Sequence, residues 1–211
     1  MSGDDAAAKR ASSRDHFDRW AHQYERDHVS RWLATLQRHS LDALELGPSD
    51  QLIDVGCGTG AAVRAAAPTV RHSVGVDLSP GMLDRARELA SGAASVEFRV
   101  ADAEVLPFRD STFSALLCTT SFHHYPAPEG AVSEMARVLA PGGRIVIADM
   151  ITDRHVMRIV DHLLRRAQPS HARCYRTHDL EQLLIGAGLT EPSTRCLMHG
   201  FYAILAAHRP K

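Results

Sequence analysis

The side chains best placed to do chemistry are carboxylates at the ends of apolar runs, a triple-glycine turn and a group of histidines. Asp54 lies in the run Leu52-Ile53-Asp54-Val55, which passes at once into Gly56-Cys57-Gly58-Thr59-Gly60. Glycines at alternate positions turn the chain sharply and let a ligand lie on bare backbone. The alanine-rich stretch 61–67 reads as a helix stopped by Pro68, and its free N–H groups open toward the same place. Asp77 closes a second run, Ser73-Val74-Gly75-Val76. A carboxylate at a strand end accepts from both hydroxyls of a ribose. His123, His124 and Tyr125 follow a fourth run, and His171, Arg173 and Tyr175 stand at alternate positions later. Imidazoles move protons near neutral pH, and an arginine holds a carboxylate or phosphate. Adjacent residues of an extended chain point apart, so one of His123 and His124 is expected to face a site. The competing role for each is a histidine bonded to backbone or packed in the core.

The elements that position these groups alternate. Phe17, Trp20, Ala21 and Tyr24 recur at helical spacing, and Trp32, Leu33, Leu36 and Leu41 to Leu44 extend the pattern, so 13–46 reads as helical. Ser79 and Pro80 start a helix that runs to about Leu89, with Met82 toward the ligand crevice or the core. Residues 96–100 and 113–118 read as strands and 128–139 as a helix. Pro141-Gly142-Gly143 turns the chain into an apolar fifth strand ending at Asp149. Val156, Ile159, Val160, Leu163 and Leu164 form a helical stripe, with Arg154, Arg158, Arg165 and Arg166 mostly off it as a solvated face. Thr177 is expected to cap a helix over 179–187, and 193–198 with 201–207 to close an antiparallel hairpin. Strands alternating with helices make an α/β fold: a mostly parallel sheet, helices on both faces, an antiparallel pair at the end.

A chain of 211 residues suits one domain. With a net charge of -1, nothing global points to nucleic acid or an anionic membrane. No apolar run reaches membrane-spanning length, and no signal peptide is expected. Residues 1–14 are small, polar and charged and are expected to be flexible. Cys57, Cys118, Cys174 and Cys196 form no C-x-x-C pair, which suits reduced thiols of a cytoplasmic protein.

The glycine spacing is G-x-G-x-G preceded by an acid, where a dinucleotide turn reads G-x-G-x-x-G. This resembles motif I of the class I S-adenosylmethionine-dependent methyltransferases. Phe17-Asp18-x-Trp20-Ala21-x-x-Tyr24-Glu25 is similar to a segment of small-molecule methyltransferases of the ubiquinone-biosynthesis type, and 137–149 is similar to their R-V-L-x-P-G-G-x-x-x-x-x-D segment. The resemblance implies a Rossmann-like seven-stranded sheet in a single domain over 15–211, with 15–46 as a helical lid. It implies S-adenosylmethionine as cofactor. The binding set it implies is Tyr24, Asp54, Gly56, Cys57, Gly58, Asp77, Leu78, Met82, Asp102, Ala103 and Thr119. Tyr24 lies near the methionine end; Asp102 takes the adenine amino group and the Ala103 backbone a ring nitrogen. His123, His124 and Tyr125 fall where acceptor-side residues stand, and 169–177 is similar to a substrate-covering stretch that would bring His171 and Arg173. Ser114 stands where the family usually has Asp.

The function expected is methyl transfer to an oxygen, carbon or nitrogen of a small molecule. Two alternatives remain: a fold that binds the cofactor without methylating, and a nicotinamide-dependent oxidoreductase, against which the glycine spacing argues. No N-P-P-Y-type segment follows the fourth strand, and no nucleic-acid or membrane partner is expected. His123, His124 and His171 lack a fixed ligand spacing, and no metal is expected.

Overall fold

The computed structural model describes residues 3–24, 28–93 and 95–211, with backbone alone for 3, 4 and 28–34. Glu25 of the N-terminal motif lies outside the described residues, and the Trp32 and Leu33 side chains lie outside the described side chains.

Strand β1 (Gln51–Val55) is buried from Leu52 onward. It pairs in parallel with β2 (His72–Asp77) on one side and β4 (Phe113–Thr119) on the other. β3 (Val96–Val100) continues the sheet beyond β2, and β5 (Leu139–Met150) beyond β4. β7 (Tyr202–His208) lies antiparallel between β5 and β6 (Thr190–Leu197), giving the order β3-β2-β1-β4-β5-β7-β6. The seven-stranded mixed sheet and closing hairpin agree with the sequence expectation. The strand order reverses between β1 and β4, so their carboxyl ends part and leave a crevice.

The pleat divides the core. Leu116, Cys118, Ile145 and Ile147 point into one apolar layer with α5 (Pro128–Val138) and α7 (Thr177–Gly186). Ala115, Leu117, Val146 and Ala148 point into the other, against α2 (His28–Asp42) and α3 (Ala61–Ala66). Strand side chains alternate faces, so near-continuous apolar runs are what a sheet covered on both sides requires. α4 (Pro80–Leu89) is capped by Ser79, whose Oγ accepts the Met82 N–H. α6 (His155–Ala167) follows β5.

Three details differ from the sequence expectation. α1 (Gly3–Trp20) starts well inside the stretch 1–14 that was expected to be flexible. Tertiary ties hold it: Lys9 donates to the His171 carbonyl at 3.1 Å and Arg10 to Glu104 at 2.6 Å. β5 begins at Leu139, and residues 140–143 loop out of the ladder, which passes from Phe113–Leu139 to Ala115–Arg144. Thr177 is not the cap of α7 but its first residue, with its hydroxyl donating to Asp153 at 2.7 Å. Ser114, in place of the family's usual Asp, donates to Asp50 at 2.6 Å, and Asp50 also takes Arg144 at 2.7 Å.

Arg137 ends α5 and ties it to the loop before β4. It pairs with Glu134 and Asp110, each at 2.7 Å, and donates to the carbonyls of Leu106 and Phe108. Its charge-assisted bonds each contribute about 1.5–3 kcal/mol when partly buried, less where solvent reaches Asp110. We predict that Arg137→Ala lowers unfolding free energy by about 2 kcal/mol in urea titration. Arg137→Lys, which keeps the charge and loses the fork, should recover less than half of that.

Candidate functional site

The site begins where β1 runs out. Gly56 has φ +78°, and a Cβ there would lie 2.4 Å from the Ser121 Oγ and 2.8 Å from the Tyr125 Oη. Only glycine fits that turn. Asp77 fixes its far side: one carboxylate oxygen accepts the Gly58 N–H and the other the Ser79 N–H, both at 2.9 Å. Burial holds the Asp77 carboxyl above its usual range, although those N–H groups oppose the shift. Asp54 is fully buried beneath the turn, and neither of its carboxylate oxygens has a hydrogen-bond partner. Burial, and then the charge of Asp77, push its pKa up to about 8.

A cleft opens over this turn. Tyr24, Gly56, Cys57, Gly58, Asp77, Leu78, Met82, Asp102, Ala103 and Thr119 all line it. Asp54 does not; it lies one layer below. α1 forms the roof, contributing Arg10, Ser13, Arg14 and Phe17. Asp18 fastens the roof by accepting from the Ser79 hydroxyl at 2.5 Å and the Gly81 N–H at 2.9 Å. Arg10 lies 3.4 Å from Asp102 and 2.6 Å from Glu104 at the opposite wall. Gly58, with φ +52°, has nothing within 4 Å of where a Cβ would stand, so its backbone is bare to the cleft.

A second cavity adjoins the first through Phe17, Tyr24, Thr120 and His124. Its walls are His16, Arg19, Trp20, Met150 and Tyr202, with His123, Gln168 and Ser170. His123 and His124 sit on a 3-10 turn over Phe122–His124, their rings 4.0 Å apart, and both line the cavity. The expectation that only one faces it assumed an extended chain. Their partners differ. His123 Nδ1 lies 2.7 Å from buried Asp149, which also accepts the His123 and Met150 backbone N–H groups. Asp149 therefore accepts a hydrogen bond from Nδ1, while Nε2 makes no hydrogen bond among the described residues. His124 donates from Nδ1 to the Ser170 carbonyl at 2.7 Å. Burial, and the neighbouring His123, hold His124 well below the usual imidazole range, so it stays neutral.

The other three acceptor-side candidates do not reach this cavity. Tyr125 turns back under the glycine turn, donating to the Val55 carbonyl at 3.1 Å, and burial pushes its phenol far up. It lines the first cleft instead. His171 points inward, 2.8 Å from Asp161, because α6 brings that carboxylate over the loop. Arg173 points outward with its guanidinium over the Tyr175 ring. The stretch 170–175 makes one isolated bridge, from Tyr175 to Ile151 just beyond β5, so the alternation expected of an extended strand does not apply.

Residues 53–147 match the protein family described as a methyltransferase domain. A demethylmenaquinone methyltransferase of Mycolicibacterium paratuberculosis is 31% identical over 189 residues, 80% of either chain. The chain belongs to the class I S-adenosylmethionine-dependent methyltransferases. An uncharacterized methyltransferase of Bacillus subtilis, YcgJ, is 35% identical over 127 residues, covering 58% of this chain and 50% of that one. The chain spans about half the length of several curated relatives it matches. Among solved structures, a methyltransferase of Haloferax volcanii, in complex with the Trm112 activator, superposes with a TM-score of 0.80 at 20% identity over 94% of this chain and 98% of that one.

Within this site, the partner of His123 is what the sequence reading missed. Asp149 was visible as the end of a motif, and its place at the carboxyl end of the neighbouring strand was the signal that could have joined it to His123. Arg10 and Ser13 were missed because they fall in the segment expected to be flexible.

Asp54 supplies a pH test. Its carboxyl ionises near 3.8 unfolded and about 8 folded, so its contribution to stability is full below about pH 4 and is lost as pH rises toward 8. We predict that Asp54→Asn melts higher than the parent protein at about pH 8, and that the margin shrinks steadily toward about pH 5. Thermal melts by circular dichroism across that range check it.

Proposed function

We propose that this chain transfers a methyl group from S-adenosylmethionine to a hydroxyl oxygen of a small molecule, with His123 as the general base. The observation that carries it is the pairing of His123 Nδ1 with buried Asp149 at the wall of the second cavity. A hydroxyl acceptor must lose a proton as its oxygen attacks, whereas a neutral amine brings its lone pair ready. A histidine held at Nδ1 by a carboxylate, with Nε2 unbonded, suits that task.

The first cleft fits the cofactor on its own chemistry. Gly58 presents bare backbone, and Asp77 retains lone pairs for a ribose diol after accepting two N–H groups. The half-buried Asp77 at the cleft and the buried Asp54 beneath it, both held above their usual range, favour a cationic ligand, which makes ionisation easier for each. The bound cofactor supplies a methyl group already attached to a good leaving group. Asp102 and the Ala103 backbone would take the adenine edge, with Met82 against its face. Tyr24, shared by both cavities, would stand between cofactor and acceptor. Phe17, Trp20, Met150 and Tyr202 give the acceptor an apolar wall that excludes water and orients it. His124 stays neutral there and can position the acceptor without competing for its proton. The relative named as a demethylmenaquinone methyltransferase supports a small-molecule acceptor.

α1 acts as a lid in this reading, since it roofs the cleft and is held by Asp18. Opening requires Asp18 to release Ser79 and Gly81 at the start of α4.

The test is methyl transfer from labelled S-adenosylmethionine to a panel of phenols and alcohols, set against matched amines. Turnover on a hydroxyl acceptor is expected, and His123→Asn should lower kcat by about 10²–10⁴-fold with cofactor affinity unchanged. Turnover confined to amines, or full activity in His123→Asn, would sink this assignment. For the lid, Asp18→Ala should raise the KM for cofactor by about tenfold, because the two charge-assisted bonds that fasten the roof to the start of α4 are lost. Unchanged KM would exclude Asp18 as the latch.

A further inference from the structure

α6 carries a surface that methyl transfer does not use. Val156, Ile159, Val160 and Leu163 are exposed by 49%, 62%, 36% and 57%. Among the described residues they make half of the large apolar side chains that stand exposed, and all four share one helix. At 3.6 residues per turn α6 has three sectors. Met157 and Asp161 are buried, with Leu164 half-buried beside them, and they fasten the helix to the fold. The four exposed apolar residues, spaced i, i+3, i+4 and i+7, form the second sector. Arg158, Arg165 and Arg166 form the third.

We infer that α6 is an in-plane docking helix for an anionic lipid surface. A helix with an uncovered apolar stripe beside a basic one seats the stripe among acyl chains and leaves the arginines at the headgroups. Charge decides between lipid and protein partners. The helix has a single acid, Asp161, and it is turned inward to the His171 ring at 2.8 Å and the Cys174 N–H at 2.7 Å. The solvent-facing side of α6 is therefore basic without relief, in a chain whose net charge is only -1. A second copy meeting this face across a two-fold axis would oppose arginines to arginines. Anionic headgroups satisfy both sectors at once. The surface also has a fixed place in the fold: Gln168 and Ser170, directly after α6, line the second cavity, so a docked helix holds that rim near the bilayer. Lipid docking stands apart from the methyl-transfer reading, since it needs neither cofactor nor turnover.

The experiment is flotation of the full chain with vesicles of phosphatidylcholine alone and of phosphatidylcholine mixed with phosphatidylglycerol. Binding to the anionic vesicles, weakened by added salt and nearly absent on the neutral ones, is expected. Arg165→Ser with Arg166→Ser should weaken it by about fivefold per arginine. Leu163→Ser should weaken it as well, and neither variant should shift the circular-dichroism melt, since all three side chains are exposed. Absence from anionic vesicles, equal binding to both kinds, or insensitivity to these substitutions would overturn the inference. So would a dimer in light scattering that Leu163→Ser dissolves, because a second copy would then cover the stripe.

Discussion

Asp77 ties two turns together, and the cleft exists because it does. β1 and β2 end side by side, and each is followed by a sharp turn with N–H groups to satisfy. One carboxylate at the end of β2 reaches both, taking Gly58 on one side and Ser79 on the other. The glycine turn is thereby held open and α4 is started in register with it. Ser79 then offers its hydroxyl to Asp18 of α1, so the roof is fastened to the same point as the floor. The cost is a carboxylate kept in a buried place beside a second one, Asp54, which has no partner at all. Burial keeps that second carboxyl protonated up to about pH 8, so the turn stands over a neutral Asp54 near pH 7.

His123, His124 and His171 show how environment divides one side-chain type among different settings. His123 and His171 lie 5.3 Å apart, and each meets a carboxylate. Asp149 meets His123 through Nδ1 and leaves the outer nitrogen to the cavity. Asp161 meets His171 through Nε2, the nitrogen that would otherwise be available, and burial depresses its basicity. His124 has a carbonyl as its partner and so gains no counter-charge. Only His123 combines a buried carboxylate partner at Nδ1 with a place at the wall, and the proposal of a base rests on that combination.

Much of this architecture was legible because its determinants are local. The turn from β1, the Ser79–Pro80 start of α4 and the span of β3 depend on neighbours in sequence, and residues 96–100 form a strand as the alternation predicts. Ten of the eleven residues that the family resemblance implied for the cofactor line one cleft; Asp54 is the exception. The acceptor side was harder to read because its determinants are distant. Asp149 stands 26 positions from His123, and His171 is turned away by Asp161 on α6. Neither contact has a spacing that a single sequence displays. The helical state of residues 3–14 was equally hidden, since it depends on Lys9 and Arg10 reaching residues far along the chain.

Isothermal titration of the purified chain with S-adenosylhomocysteine, repeated on Asp77→Ala, tests the central claim most directly. The account predicts micromolar binding to the parent protein and a loss of at least about 100-fold in the variant, because both the ribose contact and the shape of the glycine turn go with the carboxylate. No binding to the parent protein, or equal binding to the variant, would contradict it and would leave the cleft to another ligand.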